Sequence, residues 1–234
     1  MTTPLSILLL GIGNILWADE GFGVRTVESL NRDYLFPENV SLVDGGTQGI
    51  YLIQHVQAAD VLVVFDAIDY GLAPGTLKLI EGPDVPKFLG AKKMSLHQTG
   101  FQEVLATVEM LGDYPQHLLL VGVQPVELDD YGGSLRPAVR AQIGPAVDAA
   151  LAYLARFEVP VACRCTPLPD GTSLAPPALA IDRYESQRPG EAEACRVGDE
   201  RVLRSDAFRI DYRPAPLDGP ALSVGLDRHL DKYR

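Results

Sequence analysis

Three apolar runs constrain the fold more than any other feature of the chain: "LSILLLGI" at residues 5–12, "DVLVVFDAID" at 60–69 and "HLLLVGVQP" at 117–125. Each is strand-sized and apolar at nearly every position, which suits a strand covered on both faces in a parallel sheet. Between the first two lies "GFGVRTVESLNRDYL", where Val24, Val27 and Leu30 recur at three- and four-residue steps, the spacing of an amphipathic helix from about 21 to 35. "NVSLVDGG" (39–46) reads as a strand closing on a glycine turn, 49–59 as a short helix, and "GTLKLI" (75–80) as a shorter strand with alternating exposure. A long loop follows at 81–95, of a length that often carries function. Helices are predicted at about 99–111 and 136–157. This alternation predicts a three-layer α/β/α fold with a mainly parallel twisted sheet of about five strands and right-handed crossovers. Sites in such folds gather beyond the carboxyl ends of the strands.

After Pro160 the texture becomes rich in proline, glycine and charge with no sustained period. The expected division is a domain over 1–159 and an irregular extension over 160–234, which is either partner-binding, ordering in part on a partner or as a strand pair near 201–213, or disordered. Cys163, Cys165 and Cys195 all lie in that extension; three thiols are too few for a disulfide framework, and their spacing fits no strong zinc pattern, so free thiols are expected. A net charge of −11 lacks the cationic surplus needed to displace counterions from nucleic acid. No apolar run approaches the roughly 20 residues of a membrane span, and no basic, cleavable leader precedes the first strand, so the expectation is a cytoplasmic protein without membrane insertion.

The predicted topology brings several polar residues to one rim. Glu20 follows the first strand, Asp44 ends the second, Asp66 ends the third, and His97 lies in "MSLHQTGF" before the helix leading to the last strand. Glu20, Asp66 and His97 make a three-ligand set for a borderline divalent cation, with positions left open for water or substrate. A metal so held polarises a carbonyl or lowers the pKa of its water, and an uncoordinated carboxylate takes the proton. Each residue also has a plainer reading. Asp19 or Glu20 could simply cap the following helix, whose dipole favours acids in its first turn. Asp66 ends an apolar strand, where an unpaired charge is costly, so function is favoured there. A single histidine such as His97 is ordinarily structural, and only its combination with the two acids raises it. His55 and His117 read as bland, and His229 lies in the C-terminal extension. The turn Gly45-Gly46-Thr47-Gln48-Gly49 either lets an extended peptide approach main-chain donors or merely joins a strand to a helix.

Two other enzyme classes fit poorly. "GIGNIL" begins like a dinucleotide fingerprint, but Leu16 occupies the third glycine position, and Asp19 and Glu20 would repel a pyrophosphate. No G-x-S-x-G elbow follows any predicted strand, which removes the serine-hydrolase reading.

Five blocks, "LGIGNILWADEGFGVR", "DGGTQGIYL", "VVFDAIDYG", "MSLHQTGF" and "GVQPVELDDYGGSL", together resemble the hydrogenase maturation endopeptidases, in the branch serving membrane-bound uptake nickel-iron hydrogenases. The resemblance covers about residues 5–157, in order. It implies a twisted sheet between helices and an enzyme that removes a short C-terminal peptide from the hydrogenase large-subunit precursor after nickel insertion. It carries the metal-contacting and catalytic roles onto Glu20, Asp66 and His97, with nickel arriving on the substrate and other divalent cations able to substitute. Asp44 with Gly45, Gly46 and Thr47 is implied in substrate recognition. Such enzymes are grouped with either aspartyl or metal-dependent proteases, and the sequence does not choose between them. A non-catalytic chaperone that binds the large subunit is the alternative function.

Overall fold

The three apolar runs form adjacent strands at the centre of one sheet: β1 (Ile7–Ile12), β4 (Val61–Ala67) and β6 (His117–Val123). With β3 (Val40–Gly46) and β5 (Leu77–Glu81), the order is β3-β1-β4-β6-β5. All neighbours are parallel except the β5–β6 pair. The molecule is described here by a computed structural model that places residues 4–86, 96–166, 168 and 172–188, with 96–99 as backbone alone.

Side-chain alternation splits the core into two layers, as expected for strands buried on both faces. Ile7, Leu9, Val61, Val63, Phe65, Leu119 and Val121 pack with Val27 and Leu30 of α1 (Phe22–Asp33) and with Val147, Ala150 and Leu154 of a later helix. Leu8, Leu10, Leu62, Val64, Leu118 and Leu120 pack on the other face with α2 (Ile53–Gln57) and α3 (Leu96–Leu111) through Val56, Phe101, Val104 and Leu105. Burying a side chain such as Phe65 fully contributes about 2–3 kcal/mol, so these layers supply the main drive for folding.

The helix expected at 136–157 is two helices, α4 (Pro137–Arg140) and α5 (Ile143–Ala155). Pro145 is the cause: its ring would strike the carbonyl of Ala141 in a continuous helix, and it has no N–H to donate, so the chain breaks there and restarts with Pro145 in the first turn. The predicted 49–59 helix likewise opens with a 3-10 turn, Gly49–Leu52, and becomes α-helical only over α2.

Part of the C-terminal stretch is ordered against α1. A two-residue pair joins β2 (Tyr34–Leu35) to β7 (Ala162–Cys163), and a short helix α6 (Ile181–Gln187) follows. Buried Arg25 of α1 donates to the Leu179 carbonyl at 2.6 Å and pairs with Glu28 at 2.8 Å, while its guanidinium lies 5.7 Å from the Tyr184 ring centre. Ser134 donates to Glu185 at 2.7 Å, and Arg140 pairs with the same carboxylate. Cys163 and Cys165 are free and exposed, as expected. The strand pair expected near 201–213, Cys195, His229 and most of the 81–95 loop lie outside the described residues. No helix among the described residues is long and apolar enough to cross a membrane.

Candidate active site

Strand order reverses direction at β1: the chain passes from β1 out to β3, then returns across to β4. The crevice beyond the carboxyl ends of β1 and β4 is therefore the switch point where α/β folds place ligands. Glu20 and Asp66 arrive from its two sides.

Two glycines let the loop after β1 press onto the sheet. A Cβ at Gly13 would collide with the Glu20 carbonyl, and one at Gly23 with the carbonyls of Ile12 and Phe65. Gly13 also has φ +124°, a backbone state that side chains disfavour. As a result the 3-10 turn Ala18–Gly21, which carries half-buried Glu20, packs against β4. Asp66 is 3% exposed at the end of β4, and its Oδ1 accepts the Ala67 N–H at 2.8 Å. By strand alternation its side chain shares the face of Leu62 and Val64, the face covered by α3.

His97 lies in the first turn of α3. One turn further on, a Cβ at Gly100 would come within 3.6 Å of the Gly49 Cα, which sets this end of α3 over the glycine turn after β3. The His97 imidazole is outside the described residues, and among the described residues no three His, Cys, Asp or Glu side chains group as a metal site. The topology thus brings the elements bearing Glu20 and Asp66 together and places the helix of His97 on the Asp66 face.

Asp44, Gly46 and Thr47 line a hollow of about 150 Å³ with Gly13, Asn14, Ile15 and Val24. Gly45 turns inward instead, where a Cβ would lie 2.8 Å from Leu10 Cδ1 and 3.0 Å from the Gly11 carbonyl. Burial pushes the Asp44 carboxyl above its ordinary range, against the Gly46 N–H and the Arg25 charge. A carboxyl raised in this way contributes stability that is full below its unfolded value of about 3.9 and is lost as pH rises through the folded value. Asp44→Asn should therefore melt higher than wild type near neutral pH and gain little at about pH 3. Thermal melts at both pH values check this; an equal difference at both would remove burial as the cause.

Asp19 is not the cap of α1. Its fully buried carboxylate accepts the N–H groups of Val126 at 2.8 Å, Glu127 at 2.9 Å and Arg136 at 2.7 Å, bolting the Glu20 turn to the loop after β6. The two loops also zip through Gly132 N–H to the Leu16 carbonyl at 2.7 Å and an edge-to-face Trp17–Tyr131 pair at 5.3 Å. Nothing local in "WADEG" signals these partners, which lie more than 100 positions away.

Two further residues were not singled out from the sequence. Buried Gln124 accepts the N–H groups of Tyr70 at 2.8 Å and Leu72 at 3.1 Å and donates to Asp69 at 2.9 Å, fixing the loop after β4. Tyr70, in that loop, lies over Gly122 of β6. Both sit in quoted blocks, "VVFDAIDYG" and "GVQP", but only strand register reveals that they meet.

Known proteins share this sequence and fold. A family model described as hydrogenase maturation protease matches residues 24–153. The hydrogenase expression/formation protein HupD of Thiocapsa roseopersicina is 63% identical over 209 residues, covering 89% of this chain and 95% of that protein. HoxM of Azotobacter vinelandii, described likewise, is 62% identical over 211 residues, 90% of this chain and 100% of that one. Among solved structures, the hydrogenase maturating endopeptidase HybD from E. coli matches with a TM-score of 0.65 at 40% identity, covering 68% of this chain and 98% of that one. The fold and these relatives define an α/β peptidase. The chain belongs to the hydrogenase maturation protease family.

Proposed function

We propose that the protein is a cytoplasmic endopeptidase that removes the C-terminal peptide of a nickel-iron hydrogenase large-subunit precursor once nickel has been inserted. The observation that carries this reading is the placement of Glu20 and Asp66 on the two sides of the β1–β4 switch point, in a chain of the hydrogenase maturation protease family.

In this reading nickel belongs to the substrate. Glu20, Asp66 and His97 take the precursor's metal, a donor set of carboxylates and imidazole suited to a borderline divalent ion such as nickel, and other divalent cations can replace it. The backbone at Asp44, Gly45, Gly46 and Thr47 receives the extended peptide beside the hollow. Water adds to the scissile carbonyl, a carboxylate of the site accepts its proton, and the amine leaves with a proton. Requiring both metal and protein surface makes ordinary peptides poor substrates.

Purified protein mixed with nickel-loaded or nickel-free precursor, with products weighed by mass spectrometry, tests the reading. Cleavage of the loaded form alone is expected, and equal cleavage of both would defeat the nickel requirement. Glu20→Gln, Asp66→Asn and His97→Ala should each slow processing about a hundredfold or more while the protein stays folded. Tight precursor binding by wild type with no loss of mass would turn the assignment to a chaperone.

A further inference from the structure

Asp66 pairs in register with Gly122 on the neighbouring strand β6. Side chains of paired residues in parallel strands stand side by side on one face, so the place beside the Asp66 carboxylate is the one Gly122 leaves vacant. The Tyr70 phenol fills it. A Cβ at Gly122 would overlap the Tyr70 hydroxyl oxygen and approach its ring at 2.9 Å and 3.0 Å.

The ring is held from several directions. Its backbone N–H is fixed by Gln124, and the Lys78 ammonium stands 4.9 Å from the ring centre. Lys78 is itself the register partner of Gly122 across β5 and β6. A tyrosine hydroxyl keeps its proton throughout the neutral range and is a donor there.

We infer that Tyr70 is a positioning residue whose hydroxyl orients the Asp66 carboxylate toward the metal of the substrate. This rests on the reading of Asp66 as a contact to that metal. A carboxylate that takes a metal keeps its direction through hydrogen bonds to its remaining lone pairs, and loss of such a partner commonly costs 10–100-fold in metal affinity or activity, about the range expected here. Asp66 already accepts the Ala67 N–H on Oδ1, and in this inference the phenol, seated over the neighbouring Gly122, donates to the same carboxylate when the metal is taken.

Steady-state processing of nickel-loaded precursor by full-length Tyr70→Phe, with Asp66→Asn and Lys78→Met alongside, separates the outcomes. Tyr70→Phe keeps the ring and loses only the hydroxyl. Its kcat should fall roughly tenfold or more, with KM within about twofold and an unchanged melting temperature. A general packing role would lower the melting temperature and leave kcat at permissive temperature near wild type, which would overturn the inference. A kcat within twofold of wild type overturns it as well. Lys78→Met, which retains the hydroxyl, should lose less than Tyr70→Phe; a greater loss would move the role to the ammonium. Asp66→Asn separates the two levels. If it processes normally, the metal-reading role of Asp66 fails; if it is inactive while Tyr70→Phe is normal, only the role of Tyr70 fails.

Discussion

Asp19→Ala is expected to destabilise the protein by about 3 kcal/mol, because it strands the N–H groups of Val126, Glu127 and Arg136 that now converge on one buried carboxylate. For a chain of this size that corresponds to a fall of roughly 6–12 °C in melting temperature. Asp19→Asn should be milder and still harmful. Its single amide oxygen can continue to accept from Val126 and Glu127, but its NH2 then faces the Arg136 N–H, donor against donor. Both variants should also slow processing, since the turn bearing Glu20 loses its tie to the loop after β6. Ala18, just before, has φ +40°, a strained state for a residue with a side chain that persists only where surrounding contacts impose it. Urea denaturation of the three proteins provides the measurement. A change below about 0.5 kcal/mol for Asp19→Ala would mean that water replaces the carboxylate without loss.

Gly23→Ala should cost about 3 kcal/mol or more and lower soluble yield. Gly23 lies in the first turn of α1, and the added carbon would strike the carbonyls of Ile12 and Phe65 and come within 2.8 Å of the Ile12 N. All three atoms belong to the backbone of β1 and β4 or their immediate ends, so no side-chain rotation relieves the overlap. The helix would have to lift from the sheet, opening the contacts of Phe22, Val24 and Val27. Gly144→Ala in α5 is the control: nothing lies within 4 Å of its added carbon, and helix propensity favours alanine by about 0.5–1 kcal/mol. The two substitutions should therefore shift the denaturation midpoint in opposite directions. Equal shifts would show that the sheet yields at Gly23.

The strands and their order of use were legible because burial on both faces writes itself locally. Runs such as "DVLVVFDAID" need no distant partner to be read, and this one delivers Asp66 at its carboxyl end. The predicted helix at 21–35 appears as α1 over Phe22–Asp33, and the strand at 39–46 as β3 over Val40–Gly46. Glu20, Asp44 and Asp66 could be placed on one rim for the same reason. Helix interruption at Ala141 was also written in the sequence, in Pro145, but the continuous apolar pattern from Val139 to Leu154 masked it. Asp19 was open to reading as a helix cap because an acid before a helix fits that role on local grounds, whereas its three partners come from the loop after β6.

Local periodicity was enough to decide the layers, the mainly parallel sheet and the end of the sheet where the acids gather, since each depends on interactions within a few residues. The pairing of Asp66 with Gly122, the phenol seated over that glycine and the carboxylate joining two loops depend on register and on contacts across more than 50 positions. A one-residue slip of β6 would leave every local propensity unchanged and move Gly122 to the opposite face of the sheet. Only the packing of both layers at once excludes that slip.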